Sequence, residues 1–100
     1  MGRQRLEDGR WFETSKAKRY LETCSFDGRN MISDATGSQW EHEVLYRTAG
    51  GQWILRHWSQ WEGRRETWTE VDVEDAARWL VACGHDVPEV APEIAALEVK

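Results

Sequence analysis

Two apolar, β-favouring runs, Val44-Leu45-Tyr46 and Trp53-Ile54-Leu55, flank Ala49-Gly50-Gly51. The pattern predicts an antiparallel hairpin with a three-residue connection, in which a glycine supplies the left-handed position. That loop sets Arg47 opposite Trp53, Leu45 opposite Leu55 and Glu43 opposite His57. Strand alternation then puts Glu43, Leu45, Arg47, Trp53, Leu55 and His57 on a first face. Val44, Tyr46, Ile54, Arg56 and Trp58 fall on the second. Glu66–Val71 reads as a third strand, reached through a turn around Gly63. A four-residue turn over Trp61–Arg64 places Trp68 and Glu70 on the first face and Val71 on the second. One residue more or less would reverse that assignment. The second face is the expected core, packed on a helix.

That helix follows at once. Asp72 is its N-cap, Glu74 and Asp75 suit the positive end of the dipole, and Gly84 suits the position just past its end. Val73, Ala76, Ala77 and Leu80 form its expected buried stripe. A second helix is predicted near the N-terminus, where Ala17, Tyr20, Leu21 and Cys24 recur at helical spacing behind Thr14 or Ser15 as N-cap. Lys16, Lys18 and Arg19 crowd its first turns with the wrong sign for the dipole. They read as a solvated face or as a docking point for an acidic partner.

The remaining segments are less regular. Arg10–Glu13 suggests a short strand, and residues 1–9 read as a flexible N-terminal arm. Residues 25–42 hold two turn signals, Asp27-Gly28 and Thr36-Gly37, and are long for a structureless loop. They predict a short helical turn near Asn30–Asp34 or a functional loop. Residues 88–100, with two prolines, form a C-terminal tail able to make a short helix. The fold expected is therefore one α+β domain over residues 10–87, a small antiparallel sheet of three to four strands with two main helices.

Composition changes this picture in one respect. Leu, Ile, Val and Phe total only 18 of 100 residues, and the net charge is −5, a balance that borders on disorder. Seven tryptophans offset the aliphatic deficit, because each can bury on the order of 200 Å². Residues 1–30 carry seven basic against five acidic side chains, and residues 31–100 carry six against thirteen. Nucleic-acid binding would thus depend on a local basic surface. The polar N-terminus shows no secretory signal, and no apolar run reaches membrane-spanning length, so a cytoplasmic setting with free thiols at Cys24 and Cys83 is expected.

Candidate chemistry is sparse. His42, His57 and His85 lack zinc-ligand spacing with the cysteines, and His42 and His57 fall on opposite faces, so no metal is expected. Ser33, Ser38, Asp34 and His42 supply the residue types of a nucleophilic triad without an elbow motif, which makes a small hydrolase a remote alternative. No cofactor motif is present. The residues best suited to recognition are Arg47, Trp53, His57, Trp61, Arg64, Arg65 and Trp68, because Trp and Arg dominate interface hot spots. The expectation is a non-catalytic binding or regulatory module that meets a protein partner, or a second copy, through a Trp/Arg sheet face. Single-stranded nucleic acid, stacked on the same rings, is the alternative.

The segment "LYRTAGGQWILRHWSQWEG" followed by "VEDAARWL" resembles a pattern in small bacterial proteins of no known activity, some from phage or other mobile elements. The resemblance spans about Gly37 to His85. It implies a hairpin followed by an acid-capped helix and a regulatory or host-interaction role, and it adds no site residues.

Overall fold

A computed structural model describes residues 2–60, 63 and 65–85. Among the described residues eight strands run in chain order: β1 Arg3–Arg5, β2 Trp11–Glu13, β3 Lys18–Leu21, β4 Cys24–Phe26, β5 Met31–Ser33, β6 Glu41–Arg47, β7 Trp53–Ser59 and β8 Thr67–Val71. The helix α1 spans Val73–Ala82. The central sheet has four antiparallel strands in the order β3-β6-β7-β8, and β1-β2 and β4-β5 form separate two-stranded hairpins.

The central hairpin has the expected register, with Arg47 opposite Trp53, Leu45 opposite Leu55 and Glu43 opposite His57. Gly51 closes it at φ +87°. The next connection is one residue out of step with a four-residue turn. Arg56 pairs with Trp68 and Trp53 with Val71, so Trp68 lies on the second face and Val71 on the first. Because strand side chains alternate, that single step exchanges the two residues.

The helix accordingly covers the first face rather than the second. Tyr20, Leu45, Trp53, Ala76, Trp79, Leu80 and Cys83 form one buried cluster, with Leu55, Val71, Val73 and Ala77 packed against it. Only Asp72 separates β8 from α1, and its side chain accepts a hydrogen bond from the Asp75 amide at 2.8 Å. Gly84, at φ +73°, ends the helix, with the His85 amide donating to the Leu80 carbonyl at 2.9 Å. Trp79, absent from the expected stripe, is its largest buried side chain.

The second face is covered by the N-terminal hairpin. Leu6, Phe12, Val44, Tyr46, Ile54 and Trp68 form a second cluster, and Trp58 is half-buried beside it. Residues 3–5, read from the sequence as part of an arm, pair with β2 as a strand, and Leu6 is 6% exposed. The sheet thus has two cores, one under a helix and one under a hairpin.

Two further expectations are corrected. The N-terminal helix is absent: Lys18–Leu21 pairs with β6 after a single 3-10 turn at Thr14–Lys16. A free sheet edge outweighs a short helical spacing, and the strand avoids placing three cations at a helix N-terminus. Tyr20 is buried as expected, but Leu21 and Cys24 are exposed. Among the described residues there is therefore one α-helix, and the architecture is sheet-dominated. Residues 24–33 form a hairpin rather than a helical turn. The Asp27 carboxylate accepts from the Arg29 and Asn30 amides, each at 2.8 Å, and Gly28 takes φ +100°. The C-terminal tail, expected to be able to form a short helix, lies outside the described residues. No helix among the described residues is long and apolar enough to cross a membrane.

Candidate functional site

Among the described residues, those singled out from the sequence are brought together only in part. Trp53 is 4% exposed beneath α1, and Trp68 is 8% exposed in the opposite core. Arg47 lies over Trp53, with its Cζ 5.1 Å from the ring centroid, which matches the expected cation–π pair. His57 sits half-buried, its Nε2 3.7 Å from Glu41. Arg65 is drawn away to Glu7 at 2.7 Å. Trp61 and Arg64 lie outside the described residues. Among the described residues, Trp53 and Trp68 thus belong to different cores, because both faces of the sheet are covered.

The triad residue types are spent on turns. Ser33 Oγ accepts from the Ala35 and Thr36 amides at 3.2 and 3.3 Å, and Ser38 Oγ accepts from the Trp40 and Glu41 amides at 3.0 and 3.3 Å. Asp34 accepts from Thr23 at 2.6 Å and Ser25 at 2.7 Å, while His42 Nδ1 meets Glu22 at 3.1 Å. Both cysteines are free thiols. Local desolvation and the neighbouring Glu22 push the thiol of the otherwise exposed Cys24 up. Among the described residues no three His, Cys, Asp or Glu side chains converge as metal ligands.

A carboxylate-rich cluster does form where β6 begins. Glu43 accepts from Trp79 Nε1 at 3.2 Å, and its own amide donates to Glu22 at 2.6 Å. Burial raises the Glu43 carboxyl above its usual range, against the opposing pull of His57. A group held higher in the folded chain stabilises fully below its unfolded pKa and loses that contribution as pH rises through the folded one. Glu43→Gln keeps an acceptor for Trp79 and removes the half-buried charge. It is expected to raise the thermal midpoint at about pH 7, with the advantage shrinking toward about pH 4. Circular dichroism melts at both values check this, and an advantage that grows in acid would contradict it.

A cleft of about 380 Å³ opens between the β1–β2 turn and β8. Arg10 lies in its wall, bonded to Asp8 at 2.6 Å and to Glu70 at 2.5 Å, so the local carboxylates already hold a cation.

The surface is where unspent apolar groups collect. Phe26 is 67% exposed and Met31 56%, and they stand opposite each other in the β4–β5 hairpin. Trp11 and Leu21 are also more than half exposed. Sequence reasoning missed the first pair because residues 25–42 read as a loop, although the Asp27-Gly28 turn signal between Phe26 and Met31 marked a hairpin. No protein family, curated protein or solved structure matches the chain.

Proposed function

We propose that the protein is a non-catalytic protein-binding module whose contact surface is the β4–β5 hairpin. The observation that carries this reading is the Phe26–Met31 cross-strand pair, exposed on a hairpin that joins neither of the other two sheets. A lone two-stranded hairpin is marginal in water and gains stability when a third strand or a packed surface covers it. An aromatic beside a methionine is a combination suited to filling a partner's apolar groove, since methionine adapts its shape and aromatics anchor interfaces. The hairpin base is braced by Asp34, which accepts from both Thr23 and Ser25. The pair is therefore presented on a held stem. The single-strand reading on β7 and β8 is weaker, because the rings it requires at Trp53 and Trp68 are buried.

Phe26→Asp should leave both cores intact and weaken partner binding at least about thirtyfold, the scale of an interface anchor. Sedimentation of the wild type and the variant tests whether the partner is a second copy. Quantitative co-purification with each, followed by affinity measurement on the recovered protein, tests a different partner. If neither self-association nor any measured affinity changes with Phe26→Asp, the assignment fails.

A further inference from the structure

The outward side of the β1–β2 hairpin gathers two arginines around an exposed indole in an acidic chain. Phe12 and Gln4 oppose each other, and Phe12 packs into the second core, so Arg3, Arg5, Trp11 and Glu13 project the other way. Arg5 stands directly across from Trp11, and Arg3 lies over the ring with its Cζ 4.8 Å from the centroid. Trp11 remains 57% exposed. Four arginines meet carboxylates: Arg10 with Asp8 and Glu70, Arg56 with Glu66, Arg65 with Glu7 and Arg78 with Asp75. Arg3 and Arg5 make no such pair among the described residues, in a chain with 18 acidic against 13 basic side chains. Glu13, the carboxylate on that side, stands across from Arg3 without forming an ion pair with it, and accepts instead from the Gly2 amide at 3.0 Å and from Ser15 at 3.2 Å.

Two guanidiniums outside any ion pair among the described residues, beside an open indole, form an anion-seeking surface with a stacking plane. We propose that this side of the β1–β2 hairpin binds single-stranded nucleic acid, with one base stacked on Trp11 and adjacent phosphates held by Arg3 and Arg5. The two arginines are two positions apart on one strand, about 6.8 Å along it, so both reach the same side. Arg3 already lies on the indole, and a base adds to that stack rather than displacing a core contact. An acidic peptide would satisfy the guanidiniums and leave the ring without a matching plane. The surface is distinct from the β4–β5 hairpin, and this binding stands or falls separately from the protein-binding reading.

The test is fluorescence anisotropy of a labelled oligothymidylate of roughly 12 nucleotides, with the full chain as titrant. Two phosphate contacts on a single strand predict an affinity about sevenfold lower at about 200 mM salt than at about 50 mM. Trp11→Ala is expected to weaken binding about tenfold through the lost stack. Arg5→Gln should reduce the logarithmic salt slope by about 0.7. These side chains are exposed, and Arg3→Glu with Arg5→Glu provides a second variant that leaves the ring in place and should abolish binding. Phe26→Asp should bind the oligonucleotide like the wild type. The proposal is overturned by no binding at the lower salt, by binding indifferent to Trp11→Ala, or by polyglutamate competing as well as the oligonucleotide.

Discussion

Replacing Trp53 with alanine is expected to lower the unfolding free energy by about 3–5 kcal/mol, a large share of what a domain of this size commands. The ring is 4% exposed between the sheet and α1, with Tyr20 centred 6.0 Å away. It belongs to the cluster that includes Ala76 and Leu80, so its removal opens space that the helix and sheet cannot both close. Arg47 also loses the ring beneath it. Urea denaturation at constant m-value measures the effect. A loss under about 1 kcal/mol would mean that the indole is surface, as a partner-facing residue would be. Phe26→Asp is the contrasting case, because its effect belongs to binding and should leave the denaturation midpoint nearly unchanged.

Deleting residues 1–9 is expected to cost at least as much, about 2–5 kcal/mol from Leu6 alone. The segment supplies β1, whose pairing with β2 holds Phe12 over Val44, Tyr46 and Ile54. It also supplies Glu7, whose amide donates to the Trp68 carbonyl at 2.9 Å and whose carboxylate accepts from the Trp68 amide at 3.1 Å. Without it, the second core loses most of its cover. The truncated chain should melt well below the full one or fail to fold, and should bind an apolar dye. A truncation that melts with the full chain would show that the segment is a passive arm.

Much of the sheet was legible in the residues. Two apolar runs and a glycine connection define the β6–β7 register, because a three-residue loop leaves one pairing that keeps alternation. Asp72 and Gly84 mark the ends of α1 through capping chemistry that is local. Strand β3 was illegible for the opposite reason. Its four residues become a strand through pairing with β6, more than 20 positions away in the chain, and their spacing alone is compatible with a helix turn. Trp68 depended on one residue in the β7–β8 turn, a count that composition does not supply. The choice of core face went with it, since both faces are apolar and only the placement of Val71 and the short link at Asp72 direct α1. The candidate site shifted for the same physical cause. Rings that look available in a sequence are buried once both sides of a sheet are covered, and the exposed Trp11 and Phe26 belong to hairpins whose segments read as an arm with a short strand and as a loop.

The strand order leaves the sheet with two unequal edges. Glu7 occupies part of the edge at β8, while the edge at β3 carries Lys18 on one face and Arg19 on the other. A row of backbone groups on an edge invites another copy to add its own strand, and a cation on each face of that edge opposes the approach. Their repulsion acts across solvent and is screened within about 8 Å at physiological ionic strength. The opposition these two side chains offer to edge-to-edge pairing is therefore expected to be greatest in dilute buffer and to decline as salt is added.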